Sequence, residues 1–493
     1  MSLLGQFKKA SFWSFINSIS KSILSIVISY YIIKSVSVYD YGVFNLLIGV
    51  IGYIQLFVLP GIIQVINRFI PEFYQTKDYF GIYFLTKKYL IRTFFISICC
   101  LFVVYVFNDF IARTFDINDF WNIFIWIIPF IPFYFLGMIF NQLFQSLFFQ
   151  KSLSIINTIS ESFRLISLFA FFYFDKSISL LLLSQGLTWV LSFILYVIYY
   201  RKLFYNVFKD KFEKRIFELH RYKKYGFYTF FNEIGAKVLN TSTDYFIISA
   251  YLGPVSTGYY AFVNKIITVS TNLLPNRILK STLKTYFYRD YTENKKAQIL
   301  QRNFNYILKF NMVFVLPLAY LLITYGTYFI DLFFDKKYDA VSNILFVFAL
   351  FLPTKCLSLP LGLFLTALED VKIILYSKLA SFVNIIIGIF VVQEYGVVGL
   401  SIVTCLSVFL KDIIMYIYAY RKHKLTLPFL DMMKIIVIGL LIYILGNGIL
   451  KLDSLLLNIL GILLTLSLTY ALYFFTLFDT LERTTLLKMI KRK

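Results

Sequence analysis

Away from the inside ends of its long apolar stretches, this 493-residue chain carries ten embedded ionisable residues. Six are basic: Lys21, Arg164, Lys237, Lys265, Lys355 and Lys411. Four are acidic: Glu161, Glu233, Asp244 and Asp412. A charge at the centre of a hydrocarbon layer costs about 2.5–3.5 kcal/mol on insertion scales. Such a set is too costly for helices that only pack against lipid. These residues must face water, one another or an anionic ligand, and their net embedded charge is basic. No nucleophile–base pair stands out, so no catalytic residue is expected.

Their spacing says which faces they share. Glu233 and Lys237 lie at i and i+4, the favourable order for a helical pair. Asp244 lies seven residues beyond Lys237, with Asn240 and Thr241 between them. This is one polar stripe on one helix, either a chain of ion pairs between helices or the lining of a path. Two further stripes are Lys265, Asn272, Asn276 and Asn157, Glu161, Arg164. Glu161 with Arg164 suits a neutralised structural pair better than a ligand site. Lys411 and Asp412 are neighbours, so they are expected to point apart and to need different partners. Lys355 stands between Pro353 and Pro360, where a helix must break or kink. That break suits a gate and a packing kink equally. Lys21 lies only twelve residues before Lys34, about 18 Å along a helix. It cannot reach the far interface and is expected within the core of a bilayer roughly 30 Å thick.

The elements that carry these residues are membrane spans. Hydrophobic residues make up 59% of the chain, charged residues 15%, and the mean hydropathy is +0.74. Soluble, disulfide-stapled, collagen-like and disordered classes are thereby excluded. Fourteen apolar runs are long enough to cross a bilayer: 12–33, 43–66, 89–107, 121–149, 153–174, 178–200, 226–251, 256–276, 304–325, 341–367, 372–393, 397–420, 432–450 and 456–478. No small-residue cleavage site follows the first, which reads as a retained anchor.

The net charge of +22 comes from 48 Lys and Arg against 26 Asp and Glu. With the N-terminus in the cytoplasm, the inside segments, taken with the inside ends of the spans that carry Arg92, Lys309, Lys372, Lys378 and Lys434, hold 36 of those 48, nine of them in 201–225 and eight in 277–309. Outside loops hold six: Lys34, Arg113, Lys176, Lys336, Lys337 and Lys451. The positive-inside rule therefore places both termini in the cytoplasm. The same rule accounts for the basic excess without nucleic acid. Basic loops are also expected to attract anionic membrane lipids. Cys99, Cys100, Cys356 and Cys405 lie in apolar runs and form no C-x-x-C pair. His220 and His423 are far apart. No metal site, P-loop or other cofactor is expected.

An internal repeat organises the spans. Phe12–Gly42 resembles Tyr228–Gly258, pairing Lys21 with Lys237 and Gly42 with Gly258 at an offset of 216. Pro60 and Pro275 pair at 215. The chain then divides into an N-lobe, 1–200, of six spans; a basic cytoplasmic linker, 201–225; a C-lobe, 226–420, of six spans; and 421–493, two further spans and a basic tail. An even number of spans per lobe gives parallel repeats about an axis along the membrane normal, with a substrate path between them.

The motifs within this frame resemble a known family. They are Val38-Tyr39-Asp40-Tyr41-Gly42-Val43-Phe44-Asn45-Leu46, Gly61, and Asn67-Arg68-Phe69-Ile70-Pro71-Glu72 in the first half. In the second half they are Asp244, Leu252-Gly253-Pro254 and Gly258-Tyr259-Tyr260. Phe333-Phe334-Asp335-Lys336-Lys337-Tyr338-Asp339-Ala340 and Gly396-Val397-Val398-Gly399-Leu400 follow. Together they resemble the bacterial polysaccharide repeat-unit flippases, the O-antigen and capsule exporters of the multidrug/oligosaccharidyl-lipid/polysaccharide exporter superfamily. Val36-Ser37 stands where the family usually has Leu-Gly, and Asp335 where it usually has Gly.

The resemblance implies an all-α integral membrane protein of the bacterial cytoplasmic membrane. Its function would be to flip undecaprenyl-pyrophosphate-linked oligosaccharide repeat units by alternating access, with other polysaccharide assembly proteins as partners. Lys21, Lys237, Lys265 and Lys355 are then the candidates for the pyrophosphate. Glu233 and Asp244 are candidates for a coupling ion, and Glu161 with Arg164 for an ion pair. A multidrug/toxin antiporter of the same fold is the alternative, although an extruder of cationic drugs would favour an acidic cavity. A membrane-embedded glycan polymerase or ligase would need a large outer loop, and the longest here, 108–120 and 326–340, are short.

Overall fold

A computed structural model describes residues 3–209, 220–238, 241–272, 274, 297–368, 370–449 and 455–477. The remainder includes parts of the 201–225 linker and of 277–303, as well as Asn240, Pro275, Asn276, Lys451 and the tail from 478. The expectations on these lie outside the described residues. Among the described residues every regular element is a helix.

The apolar runs fold as expected of chain that must satisfy its backbone inside lipid. In order they are α1 (Leu3–Ser35), α2 (Val38–Val58), α3 (Ile62–Gln75), α4 (Tyr79–Val106), α5 (Asn108–Phe115), α6 (Phe120–Phe124), α7 (Ile131–Ser146), α8 (Gln150–Phe174) and α9 (Ile178–Lys209). After the linker come α10 (His220–Val238), α11 (Thr241–Asn272), α12 (Ala297–Phe334), α13 (Ser342–Phe351), α14 (Ser358–Ala367), α15 (Val371–Ser377), α16 (Ala380–His423), α17 (Phe429–Ile449) and α18 (Leu455–Leu477). Ten stretches among the described residues are long and apolar enough to cross a membrane. One of them, Lys372–His423, carries two of the expected spans. Three more expected spans are carried by α10 with the start of α11, by α17 and by α18.

Local chemistry sets the boundaries. Ser37 starts α2 by accepting the Asp40 N–H at 3.0 Å, and its own hydroxyl reaches the Asp40 carboxylate at 2.6 Å. Asp78 caps α4 by accepting the Gly81 N–H at 3.0 Å. Gly253 (φ 77°) and Gly396 (φ 61°) each break a long helix within the turns expected at 252–255 and 394–396. A turn of one residue with positive φ is open to glycine at little cost and strained for other residues. The expected break between Pro353 and Pro360 is present: Leu352–Cys356 is a 3₁₀ turn between α13 and α14.

The helices group into two compact units, 1–265 with 385–397, and 266–384 with 398–493. In the first, α8 packs against α1 and α9, and α7 lies against α3, α4 and α9. A seam of small residues joins α2 and α3 to α10 and α11 in antiparallel register. A Cβ on Gly42 would collide with the Pro254 carbonyl, and one on Gly258 with the Val38 carbonyl. Further along, Gly49 faces Phe246, and a Cβ on Gly61 would collide with the Gly226 carbonyl. Gly42 and Gly258 are repeat equivalents, as are Val38 and Pro254. The contact is therefore reciprocal, the pattern of a two-fold interface.

In the second unit α12 is the spine, packed against α13, α14, α17 and α18. Buried Asn311 donates to the Cys356 carbonyl at 3.2 Å, which pins the 3₁₀ turn to α12. Asp370 gathers Lys422 and His423 at 2.5 Å each and the Tyr418 hydroxyl at 3.1 Å. Partial burial pushes the Asp370 carboxyl up, but the bonds from these three side chains outweigh it and hold it below the usual carboxylate range.

One expectation is corrected here. Lys411 and Asp412 do not point apart: the lysine stem folds back and sets its ammonium 3.1 Å from Asp412 Oδ1. The Ser358 hydroxyl donates to Asp412 Oδ2 at 2.5 Å. A four-carbon side chain reaches a neighbour that Cα directions alone would put out of range.

Gly42→Ala or Gly258→Ala should destabilise the solubilised protein by about 1–3 kcal/mol or more, as overpacking does. Gly362→Ala, whose Cβ meets nothing within 4 Å, should leave the melting temperature unchanged or raised. Fluorescence-detected thermal unfolding in detergent checks both.

Candidate functional site: a cavity beside a cationic cluster

The first unit encloses a cavity of about 590 Å³. Its walls come from α2 and α3, α7, α8, α9 and α10. α7 presents Tyr134, Gly137 and Asn141, spaced three and four residues apart. α9 presents Trp189, Ser192 and Tyr196 with the same spacing, one face of a helix in each case.

Glu233 and Lys237 reach the cavity from α10. Glu233 Oε2 accepts the Gly61 N–H at 3.2 Å. Lys237 Nζ lies 5.9 Å from the centre of the Tyr53 ring. It would be 2.6 Å from a Cβ on Gly52, so the glycine leaves it room. The cavity also carries amides and rings. Asn141 donates to the Tyr196 hydroxyl at 2.7 Å, and Gln142 donates to Asn67. The Tyr134 and Trp189 rings sit 4.6 Å apart and tilted by 33°.

α8 links this cavity to a cluster of charges. Asn157 lines the cavity and donates to Asn17 Oδ1 on α1 at 3.2 Å. Glu161 and Arg164 follow one and two turns further along α8. Lys265 lies within electrostatic reach of Arg164, Glu161 and Lys21, and its ammonium donates to Ser25 Oγ at 3.3 Å. Three cations and one carboxylate thus meet where α1, α8 and α11 come together. Lys21 is the exposed member, while Glu161, Arg164 and Lys265 are half-buried.

Two other candidates lie elsewhere. Asp244 is 1% exposed and accepts the Tyr260 hydroxyl at 2.6 Å, inside the α11 core rather than on the cavity wall. Of the stripe expected along one helix, Glu233 and Lys237 on α10 reach the cavity and Asp244 on α11 does not. Lys355 belongs to the second unit. It is exposed on the 3₁₀ turn, its ammonium 5.8 Å from the Phe348 ring centre.

The uncharged wall escaped the sequence reasoning. Its signal is present as the three-and-four spacing of Tyr134, Gly137 and Asn141 and of Trp189, Ser192 and Tyr196.

Residues 7–278 match the family described as polysaccharide biosynthesis protein. The chain belongs to that family. No curated protein matches it by sequence. Among solved structures, the chain is similar to the lipid II flippase MurJ in an inward closed conformation. The TM-score is 0.73 at 18% identity, covering 95% of this chain and 98% of that one. It is also similar to an inward-facing multidrug resistance MATE family transporter of the MOP superfamily (TM-score 0.63, 10% identity, 83% and 98% covered). A MOP superfamily transporter from Pyrococcus furiosus, described as having a binding pocket of reversed polarity, gives a TM-score of 0.55 at 10% identity. At these identities the likeness is one of fold: an all-helical membrane fold, with ten stretches among the described residues long and apolar enough to cross a membrane and further helices beside them.

Cavity polarity can be tested in a background with Cys99, Cys100, Cys356 and Cys405 replaced by Ser. Asn141→Cys and Ser192→Cys should react with a membrane-impermeant charged maleimide in inverted or right-side-out vesicles. Phe140→Cys, at a position 3% exposed, should not. Mass spectrometry of the labelled protein checks this.

Proposed function

We propose that this polysaccharide biosynthesis protein is a flippase of the bacterial cytoplasmic membrane. Its cargo would be an oligosaccharide repeat unit on undecaprenyl pyrophosphate, carried from the inner to the outer leaflet. The observation that carries this reading is the pairing of a sugar-sized polar cavity with a net cationic cluster, in a chain of this family.

The chemistry divides between them. Lys237 in the cavity, with Lys21 and Lys265 beside Arg164, suits a pyrophosphate, because charge-assisted bonds to phosphate oxygens are the strong ones. Asn141, Gln142 and the Tyr196 hydroxyl suit sugar hydroxyls, and the Tyr134 and Trp189 rings suit sugar faces. The lipid tail would stay in the bilayer while the head crosses in a hydrated path. Lobes 1–200 and 226–420 would alternate access around it, with 201–225 as their linker and both termini in the cytoplasm.

Glu233 is the better placed candidate for a coupling ion, because it lines the cavity. Asp244 is assigned a structural role through Tyr260, and Lys355 the role of a gate residue at the 3₁₀ break. The multidrug antiporter is disfavoured by the cationic balance around the cavity.

Losing one charge-assisted bond of about 1.5–3 kcal/mol predicts a roughly 10- to 100-fold drop in transport. Lys21→Ala and Lys237→Ala should therefore abolish surface glycan in a complemented flippase-deletion strain, with membrane protein levels unchanged. Lys202→Ala should not. Normal surface glycan in both variants would refute the site.

A further inference from the structure

A second cavity, about 520 Å³, lies on the other side of the bend between α2 and α3. Leu59 and Ile63 face the first cavity, while Pro60 and Ile62 face the second. The same alternation holds on α10, where Glu233 faces the first and Phe230, almost one turn earlier, faces the second. Close packing of Gly61 on Gly226 closes the wall between them.

The second cavity is cationic. Lys88 and Arg92 stand one turn apart on α4, and Lys223 joins them from α10. No carboxylate is among the described residues that line it. Lys88 is half-buried with its ammonium 6.0 Å from the Phe84 ring centre, while Arg92 and Lys223 are exposed. The remaining wall is apolar or aromatic, with Val65, Tyr89, Tyr222, Phe227 and Phe230 among its residues. Tyr222 is held edge-on against Phe69 at 4.7 Å, so this wall is braced by α3.

Three cations sharing one cavity with an apolar and aromatic wall suit an amphiphile. A soluble anion would leave the apolar wall unused, and a neutral lipid would leave three cations without a counter-charge. The volume suits a phosphate head with the first part of its chain. We propose that this cavity binds the phosphate head of an anionic membrane lipid, with Lys88, Arg92 and Lys223 as its ligands. The site is separate from the transport cavity and does not depend on what that cavity carries. The basic residues around it are the inside-facing ones of the topology, so the lipid belongs to the cytoplasmic leaflet.

Native mass spectrometry of the full-length protein in detergent tests this. The probes are phosphatidylglycerol, undecaprenyl phosphate, phosphatidylcholine and inorganic phosphate. The two anionic lipids should be retained in preference to phosphatidylcholine, and inorganic phosphate at equal concentration should not displace them. Each neutralised cation should weaken retention about fivefold, and Lys88→Gln/Arg92→Gln/Lys223→Gln together roughly a hundredfold. Lys88→Arg/Lys223→Arg should retain the lipid, and the matched control Lys87→Gln/Arg201→Gln/Lys202→Gln should bind as the natural protein does. If the triple variant fails to fold, exposed Lys223→Gln alone still reads the fivefold step. Unchanged binding in the neutralised variants, equal retention of phosphatidylcholine, or equal weakening by the control would overturn the proposal. Displacement by inorganic phosphate would overturn the lipid assignment. Which anionic lipid displaces the other identifies a bulk phospholipid or a polyprenyl phosphate as the occupant.

Discussion

Hydrocarbon cannot solvate an ammonium or a carboxylate, and the rest of this structure follows from that constraint. Half-buried Glu161, Arg164 and Lys265 lie within electrostatic reach of one another where three helices come together, and Lys265 donates to the Ser25 hydroxyl. Asp412 is wholly buried and is compensated by Lys411 and Ser358. Asp244 is compensated by Tyr260. What distinguishes the α7–α10 region is that its polar groups are not all consumed in this way. Glu233, Lys237, Asn141 and Gln142 line open space large enough for a ligand.

Keeping that space open requires rigid walls, and the walls depend on close backbone approach. Helices in lipid gain no hydrophobic drive from one another and associate through small residues and packing. The seam from Gly42 to Gly61 against Gly258 to Gly226 supplies this contact. Its reciprocal geometry at Gly42 and Gly258 joins repeat-equivalent residues, so the same short motif is used twice to build one interface. At the far end of the seam the Gly61 N–H meets Glu233. The packing motif and the cavity wall are thus one continuous element.

Much of this was legible in the residues. Apolar length located the helices, because a bilayer of fixed thickness sets a strict minimum. Gly253 and Gly396 fell within short expected turns, since little else can reverse a helix in one residue. The charged members of the site were visible because a charge in an apolar run is conspicuous. Asn141, Gln142 and Tyr196 were not, because amides and phenols cost far less there and leave no alarm in composition. The repeat offset identified Gly42 and Gly258 as equivalents, but equivalence says nothing of adjacency. The Lys411–Asp412 contact was missed for another reason: helical spacing gives Cβ directions, and a long flexible stem need not follow them.

The central claim is that the cavity and the cationic cluster beside it carry a phosphate-linked glycan across the bilayer. Leaflet transfer in proteoliposomes tests it most directly. A short oligosaccharide on polyprenyl pyrophosphate is placed in the inner leaflet, and its arrival outside is read by an impermeant glycan-modifying enzyme. The account predicts transfer by the natural protein and its loss when Lys21 and Lys237 are both replaced by Ala. Transfer that persists at the natural rate in that double variant, with the protein folded and inserted, would contradict it.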